Sequence, residues 1–475
     1  MKKAALILTC CLALFSCNRD DIVPDKYKNT GTQTGTTTPG GTDPAQLPED
    51  DPDDVDWAKA VAYVFDNSTA IPEVHVEITE AEWTMLLAYF DKDHDTQDYV
   101  QCDVTFKKGN EVTTVQGAGL RLKGNTSRRR PYQSNKFRHV HFGIDLHKYT
   151  KDAEHTITGL RKFDLKWFKD DPAYVRELYC YDLFRREGVW TGINDVYARL
   201  FLKVGEKDVY YGVYQLMEHI DKNYVRIRKN KFGDRHGNLW KCGWGANLKN
   251  QNASIGVDNN KTKYSYELKT NKEEGFPAAK AQLKDFIGNV ASLSGSQFNS
   301  WIVQHMDVDM LLKTYAVNVA VGMWDDYWNN TNNFYLYFTS DPVNYKVWFI
   351  PYDYDNTLGT TVQCGVQSDA GRQNPLKWGP DDVPLMVKVL QNPEWKATYI
   401  QYLKDLCAGS FGQAASAERI KAWEGLIKQY VVNDTGEDMT VTDNPAFWSN
   451  HSEYRLLENS SNNFFKVKAQ SIANL

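Results

Sequence analysis

Residues 322–337 read GMWDDYWNNTNNFYLY, and residues 349–355 read FIPYDYD a short way downstream. The first segment follows an apolar run at helical spacing, and its acidic and amide side chains crowd a loop before a strand-like aromatic run. The second segment is also strand-like, and it ends in two acids separated by one residue. Such a set can supply a proton acceptor together with the oxygen ligands that hard divalent cations prefer. The two segments therefore predict a functional site.

The composition is that of a folded protein and excludes some partners. The 475 residues are 24% charged and 42% hydrophobic, which is ordinary for a globular chain. The formal net charge is -6, so no overall basic field attracts nucleic acid. Aromatic residues make up 13% of the chain, which fits either a large packed core or surfaces that face carbohydrate.

The N-terminus predicts export. Two lysines and an apolar run at 4–15 precede Cys17, as in a secretory signal peptide over residues 1–17. The residues before Cys17 resemble the bacterial lipobox, which implies cleavage before Cys17 and its lipidation; the alternative is an ordinary cleaved signal. Asp20-Asp21 resembles the export signals of Bacteroidetes surface lipoproteins. We therefore expect a lipid on Cys17 to anchor the protein in the cell envelope. The expected membrane is the outer membrane, with the protein exposed at the cell surface.

The remaining cysteines do not indicate a metal site. Five follow Cys17, at wide spacing and without a Cys-x-x-Cys pair: Cys102, Cys180, Cys242, Cys364 and Cys407. Neither a zinc site nor a full disulfide framework is predicted, although one or two disulfides are open.

The chain divides by composition and periodicity. Residues 18–54 are rich in Thr, Gly, Pro and Asp and predict a disordered tether. A main domain is expected over 55–408 and a helical C-terminal extension over 409–475. Alternating runs predict strands and runs at helical spacing predict helices; the strands are 72–78, 99–106, 112–122, 163–167, 196–202, 209–216, 238–242 and 264–269, and the helices 174–187, 278–291, 295–304, 308–321, 384–389, 393–407, 416–432 and 453–474. A β-rich first half and an α-rich second half make the fold class α+β.

A basic loop follows the strand at 112–122. It reads KGNTSRRRP at residues 123–131. Gly124 and Asn125 can adopt backbone conformations that other residues resist, and three arginines follow them, so the loop could cradle a phosphate. The alternative is a solvated basic turn.

Five motifs in order resemble the CotH kinase family, the atypical kinases first associated with bacterial spore coats. They span residues 72–405 approximately and are Lys123-Gly124-Asn125-Thr126, Asp171-Pro172 with Arg176, Tyr210-Tyr211-Gly212-Val213-Tyr214 with Glu218 and Asp221, Trp324-Asp325 with Asn332-Asn333-Phe334-Tyr335-Leu336-Tyr337, and Pro351-Tyr352-Asp353-Tyr354-Asp355 with Gly359. The resemblance implies an atypical protein-kinase-like two-lobe fold that uses ATP and a divalent metal to phosphorylate protein hydroxyls.

The resemblance also implies roles for the acidic segments. Asp325 matches the catalytic Asp that accepts the hydroxyl proton, with Asp326 as a helper or a bystander. Asn333 is the amide ligand of the metal, with Asn332 and Asn330 as rivals. Asp353 and Asp355 are the carboxylate ligands of Mg²⁺, with Mn²⁺ and Ca²⁺ as alternatives.

The resemblance also implies residues that bind the nucleotide, and some of them depart from the family pattern. The segment from Lys123 through Gly124 and Asn125, together with Arg128, would cover the phosphates of ATP. Glu218 would orient a phosphate-binding lysine or hold a second metal. The family lysine is expected in the strand after the basic loop, where this chain has His141, with Lys136 as an alternative cation. Lys123 stands for the motif's Arg and Met323 for its Asn, and these changes bear on ATP affinity.

Two functions are open at this point. One is a CotH-like kinase that acts on a protein target, cell-surface or secreted, whose identity the sequence does not give. The other is a catalytically weak, kinase-like surface lipoprotein that binds glycan or a partner protein. Two structural alternatives also apply to the site: Asp353 and Asp355 could form a structural Ca²⁺ site, and residues 329–333 could simply cap strand and helix ends.

Overall fold

The alternating pattern of the first half closes into a β-barrel in a computed structural model of the chain. The structure describes residues 56–68, 70–150, 156–257, 263–360, 369–437, 440–447 and 450–475. The predicted signal peptide, Cys17 and the tether lie outside these ranges. Within them, the strands in chain order are β1 (Glu73–Ile78), β2 (Val100–Lys108), β3 (Glu111–Lys123), β4 (Tyr132–Gln133), β5 (Lys136–Phe137), β6 (His141–Asp145), β7 (Lys162–Lys166), β8 (Asp195–Val204), β9 (Lys207–Glu218), β10 (Asn238–Cys242), β11 (Ile255–Val257), β12 (Tyr266–Leu268), β13 (Phe334–Phe338), β14 (Val347–Pro351), β15 (Ala446–Phe447) and β16 (Asn450–His451).

Most of the helical residues follow β12. Within the same ranges the helices are α1 (Trp57–Ala62), α2 (Glu80–Lys92), α3 (Arg176–Arg186), α4 (Lys222–Ile227), α5 (Lys229–Phe232), α6 (Phe276–Ser292), α7 (Gly295–His305), α8 (Val308–Ala320), α9 (Tyr327–Asn330), α10 (Pro384–Val389), α11 (Pro393–Ala408), α12 (Gln413–Ile427) and α13 (Phe464–Ala473), with a 3₁₀ turn at Lys428–Tyr430. The predicted strands and all but the last predicted helix are confirmed, with ends shifted by a few residues.

The barrel has the strand order β1-β2-β3-β6-β7-β9-β8 and closes through a parallel pairing of β8 with β1. Closure leaves these strands without an open edge. In β1 the alternate residues Val74, Val76 and Ile78 are buried, which explains the period-two pattern. Thr79 then caps α2 by accepting a hydrogen bond from the N–H of Glu82 at 3.2 Å.

A second sheet lies within the later part of the chain. Its order is β11-β12-β10-β13-β14, and β13 pairs with β14 in antiparallel register. All five residues of β13 are buried, so this strand belongs to the larger core together with α6, α7 and α8. The chain thus enters the acidic segment from an apolar helix and leaves it through a buried strand.

The last predicted helix, over residues 453–474, is wrong at its start. The helix α13 begins only at Phe464, because Asn463 caps it and the preceding residues form turns and a bridge between Arg455 and Asn463. Phe464 and Phe465 are buried in the larger core beside Phe411. The predicted domain boundaries stay predictions.

The α+β fold class is confirmed, with the barrel in the first half and most helices after it. Cys102, Cys180, Cys242 and Cys407 are free thiols, and Cys364 lies outside the described residues. Among the helices of the described part of the chain, none has the length and apolarity needed to cross a bilayer.

Candidate functional site

The acidic segment turns sharply after α8. Gly322 has a φ of 71°, a left-handed conformation that favours glycine. A Cβ at Gly322 would lie 3.0 Å from the ring of Phe464 and 3.2 Å from the Cβ of Ala370. Met323 and Trp324 follow as buried residues. The chain therefore reaches Asp325 through a turn that packs against Phe464, the first residue of α13.

Asp325 is held by three asparagine amides. Its carboxylate accepts hydrogen bonds from the Nδ2 atoms of Asn330 at 2.5 Å, Asn332 at 3.1 Å and Asn333 at 2.8 Å. Burial raises the pKa of Asp325 to about 6, although the amide donors act in the opposite direction. The result is a fixed carboxylate that is mostly ionised at neutral pH yet accepts a proton more readily than an ordinary aspartate.

The neighbouring Asp326 has a structural position. It caps α9 by accepting from the N–H of Asn329 at 2.7 Å, and it also accepts from Nδ2 of Asn318 at 2.6 Å. Asn329 in turn donates to the carbonyl of Trp324 at 2.9 Å. Asp326 is thus the helix cap, Asn329 holds the turn through the carbonyl of Trp324, and the three later asparagines all contact Asp325.

Asp353 and Asp355 follow β14 and share one lysine with a third carboxylate. The Nζ atom of Lys166 lies 2.6 Å from Oδ1 of Asp353, 3.1 Å from Oδ2 of Asp355 and 2.7 Å from Oε2 of Glu177. Lys166 ends the barrel strand β7 and Glu177 lies in the first turn of α3. Glu177 also accepts from the N–H of Tyr354 at 3.1 Å, which fixes the turn that carries both aspartates.

The charges of this cluster are unbalanced. Burial disfavours the charged amine of Lys166, but the three carboxylates outweigh it and hold the pKa of Lys166 well above its usual value. Burial raises the pKa of Glu177 to about 8, with Lys166 opposing. Even with Glu177 mostly protonated at neutral pH, two aspartates remain around one ammonium, and this arrangement favours a further cation.

The donor set fits a hard cation. Lys166 contacts one oxygen of each aspartate, and no hydrogen-bond donor of the described residues contacts Oδ2 of Asp353 or Oδ1 of Asp355. These two side chains are 36% and 39% exposed. Oxygen-only ligands of this kind suit Mg²⁺ or Ca²⁺. Across the described residues, no group of three or more His, Cys, Asp or Glu side chains is arranged as a complete metal site.

Backbone conformation marks the same place. Asn333 and Asp353 have φ values of 54° and 62°, and Thr331 has a φ of 49°. Such left-handed conformations of residues other than glycine cost free energy and concentrate at functional sites. Three of them therefore coincide with the segments that the sequence singled out.

The basic loop is held by contacts within it and by contacts with residues 94–96. Gly124 has a φ of 106°, and a Cβ there would lie 2.5 Å from Oγ of Ser127. Arg128 is buried and donates to the carbonyls of Thr96 at 2.6 Å, His94 at 3.1 Å and Gly124 at 3.2 Å. The guanidinium of Arg128 thus ties the loop to residues 94–96, between α2 and β2.

Lys123 and Asn125 also have partners. Lys123 forms an ion pair with Asp164 and lies 3.4 Å from Nδ1 of His219, while burial lowers its pKa to about 8. Asn125 accepts from Nζ of Lys263 at 3.1 Å.

His141 is not a cation in this structure. Its Nδ1 accepts from the backbone N–H of Trp167 at 3.0 Å, which requires the neutral ring. Burial, and then Lys166 and Lys123, lower the pKa of His141 well below its usual value. Lys136 is exposed in the short hairpin of β4 and β5. Lys166 on the adjacent strand β7 directly precedes Trp167 and is one of the charges that lower the pKa of His141.

Glu218 differs from its expected role. It is buried, and its two oxygens lie 2.6 and 2.7 Å from the guanidinium nitrogens of Arg228, while the N–H of Asn194 donates to one of them at 3.0 Å. Both oxygens are engaged by this bidentate pair, so Glu218 anchors the segment after β9. The lysine partner expected of Glu218 belongs instead to Glu177.

The chain is similar in sequence to known proteins. The sequence model of the family described as CotH kinase protein matches residues 120–461. The chain belongs to this family. The inner spore coat protein H of Bacillus subtilis is similar to this CotH protein, with 26% identity over 281 residues, which is 59% of the chain and 71% of that relative. The protein named invasin CotH7 of Rhizopus delemar is 30% identical over 142 residues, 27% of the chain and 23% of that relative.

The sequence alone did not single out Lys166 and Glu177 of this CotH protein as site residues. Lys166 and Glu177 flank the Asp171-Pro172 motif, and Glu177 directly follows the motif's Arg176. The signal that could have found them is a lysine at the end of an alternating strand followed by a glutamate in the first turn of the next helix. Without the fold, nothing in that pattern shows that Lys166 meets Asp353 or that Glu177 meets the backbone of Tyr354.

Proposed function

We propose that this CotH protein is an atypical kinase, with a kinase-like two-lobe fold, that transfers phosphate from ATP to protein hydroxyls. The observation that carries the proposal is the contact of Lys166 with Glu177 and Asp353 beside the amide-held Asp325. In protein kinases a strand lysine pairs with a helix glutamate, an aspartate and an asparagine hold magnesium, and another aspartate accepts the hydroxyl proton. The same residue types converge here from separate elements.

Each residue of the site has a distinct part in the proposed transfer. The acceptor oxygen forms a bond to the γ-phosphorus as the bond to ADP breaks, and Asp325 takes the hydroxyl proton. The three asparagine amides keep the Asp325 carboxylate oriented toward the acceptor. Lys166 stabilises charge on the phosphate oxygens, and Glu177 positions Lys166.

The metal would be held by the half-exposed oxygens of Asp353 and Asp355 and by the amide oxygen of Asn333. Mg²⁺ is the first candidate, with Mn²⁺ and Ca²⁺ as alternatives. When bound, the metal neutralises phosphate charge.

The location of the reaction is proposed from the sequence. A lipid on Cys17 would hold the protein in the cell envelope, at the outer membrane and exposed at the cell surface, so the acceptor would be a cell-surface or secreted protein. The relatives named as an inner spore coat protein and an invasin support a role outside the cytoplasm.

A second candidate function has one observation in its favour. The indole of Trp244 is 78% exposed and stands between Gly243 and Gly245. Exposed aromatic side chains are frequent anchors for glycans and protein partners. The second candidate is a kinase-like surface protein that binds glycan or protein. A purified protein that neither binds ATP nor transfers phosphate would favour it over the kinase.

The test of catalysis is the Asp325→Asn variant. We expect phosphate incorporation on serine and threonine hydroxyls, measured by mass spectrometry after incubation with ATP and Mg²⁺, to fall by about 10² to 10⁴-fold, since a proton acceptor contributes on that order. The control is Asp405→Asn, an exposed aspartate on α11, which should leave transfer unchanged. Undiminished transfer by Asp325→Asn would refute its role as the base, and loss of ATP binding would make it a ligand.

A further inference from the structure

Lys241 stands beside the proposed metal site on the five-stranded sheet. It lies opposite Tyr335 in the pairing of β10 with β13. Its Nζ is 5.6 Å from the centre of the Tyr352 ring, and the rings of Tyr335 and Tyr352 are 5.1 Å apart. Tyr352 directly precedes Asp353. Two tyrosines and Lys241 therefore form a wall next to the turn that carries the aspartates.

Lys241 differs from the other lysines around the site because it has no counter-ion among the residues that the structure describes. Lys166 contacts three carboxylates, and Lys123 pairs with Asp164. Lys269, in the neighbouring segment, pairs with Glu267 at 2.6 Å. For Lys241, none of the described residues places a carboxylate within ion-pair distance or an acceptor within hydrogen-bond distance of Nζ.

A half-buried ammonium without an anion is costly unless a ligand supplies one. Burial, and then the repulsion of Lys269, lower the pKa of Lys241, while Glu267 and Asp353 oppose this. Lys241 lies near the turn that carries Asp353, because its Nζ is 5.6 Å from the ring centre of Tyr352, yet Asp353 already forms its ion pair with Lys166. Lys241 thus offers a positive charge beside a site in which the other lysines are already neutralised.

We propose that Lys241 contacts the phosphate groups of the nucleotide bound at this site and thereby selects nucleoside triphosphate over nucleoside. This inference rests on the proposed kinase function and adds a specificity residue from the five-stranded sheet to the barrel lysine Lys166. Negative charge on the phosphates would supply the counter-ion that none of the described residues gives to Lys241.

The test compares Lys241→Met with Lys269→Met, a neighbouring lysine whose charge is already paired. Binding of ATP and of adenosine, both with Mg²⁺, is measured by titration calorimetry on the full chain. We expect Lys241→Met to weaken ATP binding by about 10- to 100-fold, as expected for one charge-assisted contact, with adenosine affinity unchanged. Lys269→Met should leave both affinities near those of the wild type.

The outcomes separate this inference from the proposed function. If the wild type binds ATP and Lys241→Met binds it equally well, the inference fails and the kinase proposal stands. If the variant loses ATP and adenosine affinity to the same degree, Lys241 shapes the pocket and the inference is also wrong. A wild type that does not bind ATP overturns both. Unfolding midpoints of all variants, and rescue by Lys241→Arg, check that the fold is intact.

Discussion

Two enclosed lysines in this protein have opposite surroundings. Lys166 at the proposed site contacts three carboxylates, which hold its pKa well above the usual value despite burial. Lys468 on α13 is fully buried, its Nζ has no hydrogen-bond partner among the described residues, and it lies 4.6 Å from the centre of the Trp378 ring. Burial lowers the pKa of Lys468 to about 7.

The difference shows what burial does alone and what the acids add. Burial by itself favours the neutral amine, as at Lys468, so the firm charge of Lys166 comes from the carboxylates gathered around it. Trp378 beneath Lys468 donates from Nε1 to the carbonyl of Met323 at 2.8 Å, two residues before Asp325. The first region therefore holds a firm positive charge at the proposed site, and the second packs against the loop that leads to Asp325.

The largest effect on stability is expected from Lys166→Met. Removing the ammonium leaves the almost fully buried Glu177 and its neighbouring aspartates without a common cation. Loss of one partner of an enclosed ion pair should lower the free energy of unfolding by about 3 kcal/mol, measured by urea denaturation at pH 7. Lys166→Arg keeps the charge and serves as the matched control.

An unchanged free energy of unfolding in Lys166→Met would mean that the cluster is not held by its ion pairs. Added Mg²⁺ gives a second readout. Because the variant concentrates negative charge further, millimolar Mg²⁺ should restore part of its lost stability.

A smaller effect of opposite sign is expected from Lys468→Met. The folded pKa of Lys468 is about 7, whereas an unfolded lysine has a pKa of about 10.4. The unfolded state therefore binds more protons between these values, and the lysine destabilises the fold increasingly as the pH falls from about 10 to about 7. Lys468→Met should therefore stabilise the protein at pH 7, by on the order of a few kcal/mol.

This gain should shrink as the pH rises toward 10, because the amine is then neutral in both states. Urea denaturation of variant and wild type at pH 7 and pH 9.5 measures it, with phosphate transfer expected to stay the same. A destabilised Lys468→Met at pH 7 would show that the amine has a favourable partner and would remove the contrast with Lys166.

Local pattern predicted the parts of the fold that local forces decide. The period-two alternation of β1 is visible in the sequence because burial of one face acts on alternate neighbouring residues. The helix predicted from residue 453 failed at its start because the Asn463 cap and the turns before it outweighed helical spacing.

The site was only partly predictable for the same reason. Asp325 and its asparagines lie within nine residues, so a local sequence motif was enough to identify them. Asp353 and Asp355 directly follow a strand that the sequence predicts. The Lys166 contact with Asp353 joins residues 187 positions apart, and it depends on the barrel meeting the turn after β14. The pairing of Glu218 with Arg228 rather than a site lysine likewise arises from tertiary packing.

The most direct test of the account is the thermal stability of the purified protein with ATP and a divalent metal. At a ligand concentration of about 100 times Kd, binding should add about 2.7 kcal/mol and raise the Tm of the wild type by several degrees. Asp353→Asn should lose most of this shift, whereas Asp341→Asn, at an exposed turn, should keep it. An unchanged Tm of the wild type with millimolar ATP and Mg²⁺ or Mn²⁺ would contradict the proposed site.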